Sequence, residues 1–253
     1  MRFTVYKRKQ GYFTFWFMYK IKRKVDTVLH TPTTPDARLL SAIPYLGGGR
    51  IVDVGTDHAY LPIHLVREGL VSAALACDIN QGPITAARAN IAAAGMEDRI
   101  DTLLTDGLHG VQAFRPDDVL IFGMGGELIV KILSEAPWIK DGSIGLILQP
   151  MSRASVLRKW LLENGFSITG ETLTYEDKYY QTVAARYTGE IHSYSDVELT
   201  VGRLNIETHS PLFEGFVRHE IAVLDAILRG KTKSSRADTS KEEYMKKSLE
   251  DLL

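Results

Sequence analysis

Four apolar runs in this 253-residue chain end in residues able to do chemistry. They deliver Asp53-Val54-Gly55-Thr56-Asp57-His58, then Asp78-Ile79, then Asp106-Gly107, then Gly123-Met124-Gly125-Gly126. Read as strands, three of the four end in a carboxylate, which makes a ring of negative charge. Such a ring repels a pyrophosphate, which is bound by glycine amides and a positive helix end. It suits a ligand carrying a sulfonium, an ammonium, a ribose and an adenine but no phosphate.

S-adenosyl-L-methionine has those parts. Gly55 keeps the close backbone approach. Asp78 is spaced to accept from the ribose hydroxyls, as an acid about 20 residues beyond such a turn does in dinucleotide folds. Asp106 is placed to accept from the adenine amino group, and Asp53 or Asp57 to hold the methionine end. Each has a plainer reading: Asp57 as a helix cap, Asp106-Gly107 as an ordinary turn, His58 as a structural hydrogen-bonding residue. Cys77, the single cysteine, reads as core and excludes a disulfide framework or a cysteine-rich zinc site. His58, His64 and His109 match no common ligand spacing, so no metal is expected.

The elements that must carry these residues alternate. Strand "RIVDV" (50–54) precedes a helix over about 58–68. Strand 72–79 precedes the alanine-rich helix "GPITAARANIAAAG", with Pro83 in its first turn and Gly95 at its end. Strands over 99–106, 118–125 and 143–150 follow, with helices over about 126–134 and 153–165. Two β-rich runs, 167–177 and 179–187, read as an antiparallel edge hairpin. The pattern predicts an α/β fold: a mostly parallel sheet covered on both faces, ending in that hairpin.

Three regions are expected: a basic, aromatic N-terminal arm (1–35), a sheet domain (36–190) and a C-terminal helical arm (191–253). Residues 1–25 carry many Lys and Arg and no acid, around the apolar "YFTFWFMY". That run is too short and wrongly flanked for a membrane span or signal peptide. It reads as a loosely docked arm, or as a leader translated upstream of a start at Met18; contact with RNA through charge and stacking is the weaker reading. In the C-terminal region, residues 211–230 place Leu212, Phe216, Ile221, Leu224 and Ile227/Leu228 along one helical face. With the tail "KEEYMKKSLEDLL" this suggests an α-hairpin or short coiled coil. A reducing, cytoplasmic setting fits the lone cysteine. The oligomeric state is open, with a monomer favoured.

The segments "DVGTDHAYLP", "INQGPITAARAN", "DGL", "GMGG", "LILQP", "LRKWL" and "YEDKYYQTVAARY" occur in this order. Together they resemble the bacterial tRNA (adenine-22-N1)-methyltransferase family over about 36–230. The resemblance implies a Rossmann-like class I methyltransferase domain with a C-terminal coiled-coil-like arm. It also implies methyl transfer from S-adenosyl-L-methionine to adenine N1 of tRNA. Two departures stand out: the long N-terminal arm, and Asp78 where the family is expected to have Glu.

Under that reading the donor contacts are Asp53, Gly55, Asp57, His58, Asp78, Ile79, Asp106, Gly107, Gly123, Met124 and Gly125. Asp57 and His58 are the catalytic candidates, and Gln149 orients the base. Adenine N1 has a free lone pair, so no general base is assigned. No Asn/Asp-Pro-Pro-aromatic motif is present to favour amino-group methylation. RNA phosphates are expected on Arg153, Arg158 and Lys159, and on Arg203, Arg218, Lys231 and Lys233 in the arm; the plain alternative is that these are solvated faces. The net charge of −1 gives no global attraction for RNA. A methyltransferase acting on another RNA adenine, a nicotinamide-dependent oxidoreductase and a non-catalytic RNA-binding protein using the helical arm are the competing readings.

Overall fold

Alternating apolar residues put two cores on one sheet. In a computed structural model of the chain, residues 35–231 and 238–253 are described. Residues 1–34 of the expected N-terminal arm, and Lys233, lie outside the described residues. Strands β1 (Arg50–Val54), β2 (Ala73–Asp78), β3 (Ile100–Leu104), β4 (Asp118–Met124), β5 (Gly145–Pro150), β6 (Phe166–Tyr175) and β7 (Tyr179–Tyr187) form one sheet in the order β3-β2-β1-β4-β5-β7-β6. The first five pair in parallel, while β7 runs antiparallel to both β5 and β6. The expected edge hairpin is therefore present, with β7 inserted between β5 and β6.

Successive side chains of β1 and β4 point to opposite faces, so each face needs a helical cover. Val52, Val54, Val119 and Ile121 pack under α4 (Gly126–Ser134) and α5 (Ala154–Glu163). Ile51, Leu120 and Phe122 pack under α2 (Tyr60–Arg67) and α3 (Gln81–Ala93). Strand order reverses between β1 and β4. In open α/β sheets the ligand crevice lies at that reversal, beyond the carboxyl ends of the strands. All four expected strand ends emerge there. Ahead of the sheet sits a short helix, α1 (Ala37–Leu40), whose N-cap Asp36 accepts from the Leu39 amide at 2.8 Å.

Beyond β7 come α6 (Asp196–Val201), α7 (Arg203–Thr208), α8 (Phe213–Lys231) and α9 (Ser240–Glu250). Ser195 and Glu198 form a reciprocal capping box at α6. A third core joins Leu173 of β6 to Val201, Phe213, Phe216, Val217 and Leu249. Each phenylalanine buried there contributes about 1.5–3 kcal/mol. Helices α8 and α9 pair through Lys246–Asp225 (2.7 Å) and Lys231–Glu242 (2.8 Å). The expected apolar face of α8 is used in part: Phe216, Ile221 and Leu224 pack, whereas Ile227 is exposed.

Arg158 corrects a sequence expectation. It does not face RNA: its side chain is fully buried, and its Nε donates to Glu171 Oε1 at 2.6 Å. The guanidinium also donates to the carbonyls of Leu199 and Thr200 and to Gln181 Oε1. Glu171 accepts from the Leu204 amide at 2.8 Å through its second oxygen. One ion pair thus joins α5, β6, β7 and the first helices of the arm. Arg158 lies on the same inward face of α5 as Leu157, Leu161 and Leu162, which is why it cannot reach solvent.

Candidate active site

The turn after β1 is built on a left-handed backbone. Gly55 has φ 76°, Asp57 φ 53° and Ala59 φ 58°. Glycine takes such angles without cost; aspartate tolerates them, and for alanine they store about 1–3 kcal/mol. Asp57 and Ala59 therefore keep a glycine-like backbone while adding a carboxylate and a buried methyl group. The Gly55 and Thr56 amides both donate to the Cys77 carbonyl, at 2.8 and 2.9 Å. The turn is thus tied to the end of β2. A Cβ on Gly55 would lie 2.5 Å from the mobile end of the Met124 side chain, so the firmer demand for glycine here is its left-handed φ.

Asp57 does not cap α2. The N-cap is Ala59, with no side-chain cap, and the Asp57 side chain is 73% exposed. It instead meets His58 Nε2 at 3.5 Å, while the His58 ring stacks on Tyr60 at 5.2 Å. The His58 carbonyl accepts from Asn90 Nδ2 at 2.9 Å. Both side chains therefore stand in the turn at the carboxyl end of β1, in contact with each other and open to solvent.

Asp53 is buried beneath the turn and accepts from Thr56 Oγ1 at 2.7 Å. Burial pushes its carboxyl up to about 6; the neighbouring Asp78 adds to the rise, and Thr56 and Arg38 oppose it. At the tip of β2, Asp78 Oδ1 accepts from the Asn80 amide at 2.8 Å. Ile79 beside it is 60% exposed, an apolar side chain open at a strand end. Asp106 is exposed at the β3 end, and Gly107 takes φ 55° against Ile132. Cys77 is core, as its plain reading has it; burial and the two aspartates push its thiol to about 12.

Opposite stand the β4 and β5 loops. Gly123 has φ 77°, and Gly125 begins α4 with no side-chain cap. The loops are joined by Met151 N to Met124 O and Gly126 N to Ser152 O, both 2.8 Å. Gln149 at the β5 end is fully buried; its Oε1 accepts from Arg38 Nη1 at 3.1 Å, and among the described residues its Nε2 has no hydrogen-bond partner.

Arg38 is the site residue that the sequence reading missed. It reaches over Gly123, contacts Asp36 at 3.4 Å and lies over the Tyr180 ring at 5.7 Å. The available signal was a single arginine in the short capped segment "DARLL" just ahead of β1. Arg153 is exposed beside the β5 loop and pairs with Glu127 at 3.4 Å; Lys159 is exposed and pairs with Glu163 at 3.8 Å. Among the described residues no group of His, Cys, Asp and Glu forms a metal site. Among those residues no helix is long and apolar enough to cross a membrane.

The arrangement has the parts needed to hold a cationic nucleoside donor: carboxylates at three strand tips, a glycine at a left-handed φ, and an exposed aliphatic side chain between them. Known proteins are similar to this chain. The family model for tRNA (adenine(22)-N(1))-methyltransferase matches residues 51–252. The tRNA (adenine(22)-N(1))-methyltransferase of Bacillus subtilis is 32% identical over 169 residues, covering 66% of this chain and 71% of that protein. A putative tRNA (m1A22) methyltransferase of Streptococcus pneumoniae, solved with S-adenosyl-L-methionine, is 30% identical with a TM-score of 0.75, over 85% of this chain and 98% of that one. The M. capricolum TrmK structure with S-adenosyl-homocysteine is 27% identical with a TM-score of 0.71, over 87% and 96%. Matched by that family model along most of its length, the chain belongs to the tRNA (adenine(22)-N(1))-methyltransferase family.

Proposed function

We propose that this chain transfers a methyl group from S-adenosyl-L-methionine to N1 of adenine 22 in cytoplasmic tRNA. The observation that carries the reading is the acidic strand-end ring around the left-handed Gly55 turn, in a chain of this family. The relatives solved with S-adenosyl-L-methionine and S-adenosyl-homocysteine support the choice of donor. S-adenosyl-L-methionine supplies a methyl group made electrophilic by its sulfonium.

The chain's residues do the rest by binding and alignment. Asp78 accepts from the ribose hydroxyls, Ile79 packs on the donor adenine, and Asp106 accepts from its amino group across the Gly107 turn. Asp53 and Asp57 hold the ammonium end, while Arg38 and the uncapped start of α2 meet the carboxylate. The incoming adenine needs no deprotonation, because N1 presents a lone pair in the ring plane. The gain therefore comes from holding N1 in line with the donor. Gly123, Met124 and Gly125 keep the wall thin enough for the base to reach it. The unpartnered Gln149 amide donates to that base. Asp57, oriented by His58, stabilises the positive charge that the base gains. In structured tRNA the target leaves its stack to enter the crevice, with Arg153 and Lys159 meeting phosphates beside it.

The test follows labelled methyl from donor into tRNA and identifies the product nucleoside by mass spectrometry. N1-methyladenosine is the expected product, with transfer weakened by Asp78→Ala; N6-methyladenosine, or no transfer, contradicts the reading.

A further inference from the structure

A second concavity opens where the sheet meets the helical arm. The β5–α5 loop, the start of β7 and one side of α8 enclose about 270 Å³. Its walls have three chemistries. Tyr179 supplies an aromatic surface, with ring centroids 5.6 Å from both Phe216 and His219. Arg153 and Lys178 stand at the exposed rim. Glu220 lines the cavity from α8, and among the described residues its carboxylate takes no hydrogen bond and no ion pair. Burial raises its carboxyl above the usual carboxylate range, although the charges of His219 and Arg158 act the other way. A part-buried carboxylate without a donor among the described residues, beside tilted aromatic rings and under two cations, matches the parts of a nucleotide: amino edge, base face and phosphate.

The position selects which nucleotide. Pro150, Met151 and Ser152 form one wall of this cavity, and the same loop is hydrogen-bonded to Met124 and Gly126 of the active-site wall at 2.8 Å. The cavity and the active-site wall therefore share this loop, and a nucleotide next to the target base is within its reach.

We propose that the cavity binds one unpaired tRNA nucleotide adjoining the target adenine, its base against Tyr179 and His219, its amino edge on Glu220 and its phosphate on Arg153 and Lys178. The proposal rests on tRNA being the substrate. Guanine is the best-suited base, because it alone offers two adjacent donors to one carboxylate. Swinging the target out of its stack strips its neighbour of a stacking partner, and the aromatic wall replaces that partner.

The experiment combines His219→Ala and Glu220→Gln with tRNAs made abasic at either nucleotide flanking the target. The KM for tRNA and the Kd from filter binding are measured for every pair, with the donor Kd and Tm as controls. Each variant is expected to weaken tRNA about tenfold, the loss of one stacked or hydrogen-bonded base, with donor Kd and Tm unchanged. The abasic change at the bound position should weaken binding to the unsubstituted protein by a similar or larger factor, and by clearly less in His219→Ala and in Glu220→Gln. Additive losses at both positions, or variants that bind tRNA as the unsubstituted protein does, overturn the proposal; the second result would leave the cavity to a protein partner. Absence of methyl transfer by the unsubstituted protein contradicts the proposed function instead, and the filter-binding coupling still decides the cavity.

Discussion

Nη1 of Arg38 donates to Oε1 of Gln149 across 3.1 Å, so a four-residue helix ahead of the sheet reaches the tip of its fifth strand. That bond fixes the buried amide with its N–H groups unpartnered among the described residues, and it brings a cation into an otherwise acidic crevice.

Arg38→Ala should weaken S-adenosyl-L-methionine binding about tenfold, the scale of one charge-assisted hydrogen bond. Arg38→Lys should recover little of it, because a point charge cannot hold Asp36 and Gln149 together as a planar fork does. Calorimetric titration of the donor reads both; an unchanged Kd in Arg38→Ala would exclude Arg38 from donor binding.

Gly55→Ala meets two obstacles: a φ of 76° and a Cβ placed 2.5 Å from Met124 Cε. The backbone part costs about 1–2 kcal/mol, which in a domain of this size lowers Tm by about 2–4 °C per kcal/mol. Donor affinity should fall more than tenfold. Adding Met124→Ala should restore part of the stability and leave the left-handed penalty, as thermal unfolding of the single and double variants will show.

Arg158 and Glu171 have fully buried side chains 2.6 Å apart. Arg158→Ala leaves the carboxylate buried without its partner and should cost about 3–5 kcal/mol, seen as a fall in Tm. Lys159→Ala, one residue away and exposed, should leave Tm unchanged. Weakened tRNA binding by Arg158→Ala with no loss of stability would contradict the structural role.

Asp53 gives a pH dependence of defined sign. Its carboxyl sits at about 6 in the fold, above the ordinary 3.8, so the folded state binds its proton more tightly than the unfolded chain does. Its contribution to stability is therefore greatest below about pH 4 and declines as pH rises through about 6, by about 3 kcal/mol in total. The stability difference between the native protein and Asp53→Asn, followed by denaturant titration from pH 4 to 7, should show that decline. Donor binding needs the ionised form and should run the other way, weakening as pH falls below about 6.

The sheet and its site were legible wherever function coincides with local pattern. Apolar runs ending in Asp53, Asp78 and Asp106 reveal both a strand and its chemistry, because parallel strands deliver their carboxyl ends to one crevice. The left-handed angles of Asp57 and Ala59 were not legible, since neither residue type announces a positive φ. Arg158 and Arg38 were misread or missed for one reason: their partners, Glu171 and Gln149, lie on other elements. A charge in an isolated helix reads as solvated until the partner that buries it is known. The order β5-β7-β6 was likewise hidden, because adjacency of the last strand to β5 depends on long-range pairing.

The most direct test of the central claim incubates the protein with S-adenosyl-L-methionine and unmodified tRNA, then maps modified positions by reverse-transcription stops. A single new stop at adenine 22, lost in Gly55→Val, is the expected result. Stops at other adenines only, or a stop at 22 that persists in Gly55→Val, would contradict the account.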